Sequence, residues 1–150
     1  MTTESTIDDV ELRLACFEDY AQIIELLPQV SSSCVAAHDE DTVRSFLALE
    51  TFQPIVAVRG GDVLGYLELH CMPHMMRGYD CRIERVVVDK AARGLGIATK
   101  ICHFAVSRAK VMGACRIDLT VENPTARYIY TERLGFKHHD TETLRLALQG

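Results

Sequence analysis

The stretch Arg93-Gly94-Leu95-Gly96-Ile97-Ala98-Thr99 constrains this chain more than any other. Glycine costs backbone entropy wherever it is held. Two of them two residues apart therefore mark backbone that something must approach closely. Upstream, CRIERVVVD (81–89) reads as a strand; downstream, residues 94–112 carry apolar residues at helical spacing, closed by Gly113 as a left-handed cap. A helix that opens on glycines offers uncovered N–H groups and a partial positive charge. Arg93 and Lys100 add full charges. The pattern suits a phosphate or pyrophosphate; a plain tight turn is the competing reading. A Walker loop needs G-K-[ST], which is absent. A dinucleotide fingerprint needs a third small residue where Thr99 stands, and an acid that only Asp118 could supply.

Strict alternation along the upstream strand puts Glu84, Val86 and Val88 on one face, and Ile83, Arg85 and Val87 on the other. A carboxylate between apolar neighbours is uncommon. Glu84 is either a salt-bridged or edge-exposed residue, or a general base whose pKa is raised by desolvation.

The rest reads as a single domain over 1–150, with residues 1–9 polar and expected to be disordered. VELRLAC (10–16) is a strand, and EDYAQIIELLPQV (18–30) and DEDTVRSFLALE (39–50) are helices. PIVAVRGGDVLGYLELHC (54–71) is a hairpin turning at Gly60-Gly61, and MPHMMRGYD (72–80) is a loop. CRIDLTV (115–121) is a strand. NPTARYIYTERLGF (123–136) is a helix with Asn123 as N-cap, and TLRLALQ (143–149) is a last strand, with 136–139 a further short candidate. The order β-α-α-β-β-β-α-β-α-β describes one α/β domain with mixed strand pairing.

Composition excludes some classes. Lys and Arg number 16 against 21 Asp and Glu, a net charge of −5, which argues against nucleic acid as a partner. No run approaches the roughly 18 apolar residues of a membrane span, and the polar opening MTTESTIDDVE lacks the apolar heart of a signal peptide. Cysteines 16, 34, 71, 81, 102 and 115 include no C-x-x-C pair and read as free thiols in a reducing cytoplasm. His70, Cys71, His74 and Cys81 match no common zinc spacing, so no metal is expected. Pro73, Met75, Met76 and Tyr79 are candidates to line an acceptor pocket beside Glu84.

These residues resemble the GNAT superfamily of acyl-CoA N-acyltransferases. Arg93-Gly94-Leu95-Gly96-Ile97-Ala98 matches the family signature [QR]-x-x-G-x-[GA] at every specified position. Asn123, Ala126, Tyr130 and Gly135-Phe136 resemble its second motif. The match is clearest over 81–148. The resemblance implies a mixed central sheet of six to seven strands, parted into a V between 81–89 and 115–121. It implies acetyl-CoA as cosubstrate, its pyrophosphate on the N–H groups of 94–99 and its pantetheine arm along the backbone of Val86, Val87 and Val88, with Asn123 touching the arm.

The implied reaction is direct attack of a neutral primary amine on the thioester, the amine belonging to a small molecule, a peptide N-terminus or a lysine. A backbone N–H near Val86 would polarise the carbonyl. Glu84 is nominated as base, with Asp118 as alternative, and Tyr130 as the acid that protonates the leaving thiolate. Tyr130 lies five residues before Gly135 where the family has four, leaving Thr131 at the usual spacing; one residue turns a helical side chain by about 100°. A non-catalytic acyl-CoA sensor is the alternative function. Family members often pair, which leans toward a homodimer.

Overall fold

A computed structural model describes residues 9–30 and 37–148. Residues 1–8, Cys34 and the end of the expected last strand lie outside them. Five strands form one mixed sheet in chain order: β1 (Glu11–Leu14), β2 (Phe52–Arg59), β3 (Asp62–His74), β4 (Gly78–Val88) and β5 (Ala114–Asp118). Neighbours are antiparallel except the parallel β4–β5 pair. The helices are α1 (Tyr20–Leu26), α2 (Glu40–Leu47), α3 (Ile97–Val111) and α4 (Pro124–Tyr128).

The two faces of the sheet bury different sets. On one, α3 lays Ile97, Ile101, Cys102, Ala105 and Ala109 against Ile55, Leu67, Leu69 and Ile83. Gly65 permits the approach, because a Cβ there would meet Ile97 Cγ2 at 3.0 Å. On the other face, Ile23 and Leu26 of α1 meet Val56, Val58, Tyr66 and Val87. Each fully buried Leu or Ile stabilises by about 2 kcal/mol, so both layers hold the sheet that carries the site.

Several expectations need correction. The stretch 72–80 is mostly strand: Met72 pairs with Asp80 and Pro73 with Tyr79, leaving only 75–77 as the turn. Asp80 explains this. Its side chain is 3% exposed and binds Arg77 at 2.6 Å, Arg116 at 3.2 Å and His74 at 3.3 Å, which ties the hairpin end to β5. Proline is tolerated there because β2 pairs with β3 only as far as His70, so the strand end is an edge.

The tail also departs from the alternating pattern. Residues 136–148 join no strand among the described residues, and Leu144, Leu146 and Leu148 are exposed at 89%, 83% and 88%. Alternation buries a face only where a neighbouring strand supplies the other half. Among the described residues the sheet therefore has five strands rather than six or seven.

Candidate active site

β4 is held by β3 as far as Val88, but its pairing with β5 runs only from Tyr79 to Arg82. Past that point the two parallel strands have no ladder between them, and β5 ends at Asp118. Arg82 sits where they part. Its guanidinium donates to Glu84 on its own strand and to Thr120 beyond the end of β5. Among the described residues the β4–β5 ladder thus ends at Arg82, and the rest of β4, to Val88, has no β5 partner.

After Val88 the chain leads to α3, which begins at Ile97 rather than at 94. Gly94 and Gly96 have φ of +88° and +77°, the left-handed region that favours glycine, and Gly96 is the N-cap. Lys100 N donates to Gly96 O at 3.1 Å as the first helical bond, so the amides of Ile97, Ala98 and Thr99 precede any intrahelical acceptor. A Cβ on either glycine would meet nothing within 4 Å, so the space above this turn is open. Arg93 is exposed beside it; Ala98 and Thr99 are half-buried, Leu95 packs partly on the main core, and Ile97 is buried beneath. A diphosphate suits such a turn, because the first amides of a helix lack intrahelical acceptors and the two glycines add no side chain.

The β4 faces differ from strict alternation. Glu84 pairs with Glu68, but Val87, not Val86, pairs with Tyr66, so β4 carries one extra residue there. The bulge sits at Arg85, the one non-glycine residue with positive φ (+56°) among those described. It resets the pleat. Val86 and Val88 pack on the α3 side with Ile83, whereas Val87 joins Glu84 on the α1 side. Glu84 is therefore not flanked by Val86 and Val88. Its side chain is 41% exposed and paired with Arg82, so it lacks the burial of a desolvated base. Asp118 is similarly open and lies 3.6 Å from Arg116.

The more enclosed carboxylate is Glu68, directly across from Glu84 and 22% exposed. It accepts from Tyr66 Oη at 2.7 Å and lies 3.2 Å from His70 Nε2. Burial pushes its pKa up, but the bonds from His70 and Tyr66 outweigh this and hold it below the ordinary carboxylate value. Sequence reasoning passed over it, although Tyr66, Glu68 and His70 at alternate positions of an apolar strand were a visible signal.

Asn123 caps α4, its side-chain oxygen accepting from Thr125 N (2.8 Å) and Ala126 N (3.2 Å); Ala126 packs on the main core. The long Tyr130-to-Gly135 spacing has a structural counterpart: Ile129–Arg133 is a π-helical turn, which absorbs one extra residue. Tyr130 is consequently turned into the main core, 9% exposed and edge-on to Phe136 at 5.9 Å. Burial, and then Cys102 nearby, raise its pKa and keep the hydroxyl protonated. Thr131 turns back to donate to Arg127 O at 3.0 Å.

Met75 and Met76 stand fully exposed at the hairpin tip, before β4 begins and at the far end of that strand from Glu84, so they do not line a pocket beside it. A cavity of about 430 Å³ instead opens beside Glu68 and His70, walled by Phe46, Leu49, Thr51, Phe52 and Met72. Cys71 and Cys81 face each other in the core, with Sγ atoms 3.1 Å apart, while His70 binds Glu68 and His74 binds Asp80. Among the described residues no group of three or more His, Cys, Asp or Glu side chains could hold a metal ion, and no helix is long and apolar enough to cross a membrane.

A family model described as the acetyltransferase (GNAT) family matches residues 18–136. Solved structures with the same fold include a transcriptional regulator from Bacillus halodurans C-125 (25% identity, TM-score 0.76, 93% of this chain and 99% of that one). A Trypanosoma brucei acetyltransferase is similar at 24% identity and TM-score 0.77, over 93% of this chain and 100% of that one. A putative acetyltransferase from Agrobacterium tumefaciens aligns at 22% identity and TM-score 0.82, over 91% and 99%.

Proposed function

This chain belongs to the acetyltransferase (GNAT) family, and from that premise we propose that it moves the acetyl group of acetyl-CoA to a primary amine by direct attack in a ternary complex. The observation that carries the reading is the coincidence of two features on one strand. β4 loses its β5 neighbour at Arg82, and the open glycine turn follows the other end of the same stretch. From Arg82 to Val88 an extended strand runs roughly 20 Å, room for an arm with two amides to pair with freed backbone while its diphosphate meets the amides of 97–99.

In this reading Arg93 adds charge at the diphosphate, and Asn123 offers its side-chain amide N–H groups, since its oxygen is committed to the cap. The amine nitrogen must first lose its ammonium proton, because only the lone pair can attack. Glu84 takes that proton, directly or through water, with Asp118 as the alternative. The nitrogen then bonds to the carbonyl carbon, and the backbone N–H near Val86 stabilises the developing oxyanion. The carbon–sulfur bond breaks as Tyr130 gives its proton to the thiolate; the acylated nitrogen releases its surplus proton to solvent, which reprotonates Tyr130, and Glu84 gives its own proton to solvent.

The test is calorimetric titration with acetyl-CoA, followed by thiol release over a panel of amines with mass detection of the acetylated product. Binding together with amine-dependent release supports the proposal. Binding without transfer to any amine supports an acyl-CoA sensor instead, and no binding by folded protein ends both.

A further inference from the structure

Glu68 and its cavity carry an inference about the acceptor. Tyr66, Glu68 and His70 occupy alternate positions of β3, on the face that also holds Glu84. An ionised carboxylate has about four acceptor positions. Tyr66 and His70 engage one oxygen each, so acceptor capacity remains for a further cation. The walls next to it are apolar and partly open: Phe46 is 41% exposed, Leu49 52% and Met72 43%, with Phe52 behind them against the His70 ring at 5.2 Å. One anionic group at the side of an apolar cavity complements a molecule with a cationic end and an apolar body.

We propose that this cavity is the acceptor site and selects primary amines borne on an aromatic or branched-alkyl body, with the ammonium on Glu68 and the body against Phe46, Leu49 and Phe52. The inference rests on the amine-acetylation reading and names its substrate class. Position supports it. Glu68 lies directly opposite Glu84, one strand from the bulge where the carbonyl-polarising amide is placed. An ammonium held by Glu68 therefore stands next to the carboxylate that would deprotonate it. A polyhydroxylated amine meets the opposite conditions, because its hydroxyls would lose water against apolar walls without new partners.

The experiment measures acetyl-CoA binding by calorimetry, then steady-state acetylation of 2-phenylethylamine, methylamine and glucosamine by the wild type, Glu68→Gln and Leu49→Ser. Wild type is expected to prefer 2-phenylethylamine by about tenfold or more in kcat/KM, the scale of one to two buried methylene contacts. Glu68→Gln raises its KM roughly 10- to 100-fold, as expected for a lost charged hydrogen bond, with acetyl-CoA still bound. Leu49→Ser, at an exposed rim position, reduces the preference for 2-phenylethylamine over methylamine. Glucosamine used as well as 2-phenylethylamine overturns the inference, as does an unchanged KM in Glu68→Gln. In either case acetyl-CoA binding and amine turnover persist, which separates this failure from failure of the activity itself.

Discussion

Glu68 and Glu84 stand opposite each other across β3 and β4, and each carboxylate has its own partners: Tyr66 and His70 for the first, Arg82 for the second. One strand pair thus presents an enclosed anion beside a half-open one. That division suits two tasks, holding an ammonium and removing its proton.

If Glu84 is the base, Glu84→Gln should lower kcat by about 100-fold, the common scale of general base catalysis, with acetyl-CoA affinity unchanged. The amine KM should stay within about threefold, since the ion pair nearest the amine is another residue's. Steady-state kinetics with calorimetry checks both. An undiminished kcat transfers the role to Asp118, where the same substitution to Asn is the next variant.

Tyr130→Phe and Thr131→Val separate the two candidates for the leaving-group proton. Tyr130 keeps its ring in the core in the first variant, so melting temperature should hardly change while kcat falls about 10- to 100-fold. Thr131→Val removes only a bond to its own helix, and turnover should stay within about twofold. The reverse result would place Thr131 at the sulfur.

Gly96 tests the diphosphate site in two steps. Gly96→Ala meets no steric neighbour, so it costs only the left-handed backbone, about 1 kcal/mol, seen as a modest drop in melting temperature with acetyl-CoA still bound. Gly96→Asp adds a negative charge over the amides and should abolish measurable binding by calorimetry. Equal affinity in both variants would exclude the turn from the site.

Asp80 sets an acid limit on the fold. Hydrogen bonds from Arg77, then the nearby Arg116 and His74, hold its carboxyl below the ordinary value of 3.8 despite burial. The folded pKa is depressed, so the stabilisation is whole above 3.8 and fades as pH falls through the lower folded value. Asp80→Asn should melt below wild type at pH near 7, and the gap between the two should close in strongly acidic buffer. Thermal melts across pH read this directly; a gap independent of pH would remove the carboxylate's charge as the cause.

Some of the local geometry was legible because it is set by neighbours in the chain. Asn123-Pro124 announces a cap and the cap is found, while Gly94 and Gly96, read as sparsely covered backbone, also take left-handed φ. What was hidden depends on pairing. The bulge at Arg85 cannot be read from alternation, because the extra residue shows only against Tyr66 and Glu68 on the next strand. The same holds for 72–80, which looks like a loop until Asp80 meets Arg116 from β5. Tyr130 is a third case: the spacing one residue too long is taken up by a π turn that the sequence pattern does not show. The leucines of 143–148 mislead in the opposite sense, showing a strand's rhythm without a strand's neighbour.

The parting of β4 from β5 past Arg82 has a mechanical consequence. A linear cosubstrate whose amides dock there would act as a temporary sixth strand, so occupancy and rigidity of residues 84–88 should rise together. Amide exchange along this half-strand would then slow with each increment of bound thioester, letting the sheet itself report how much is loaded.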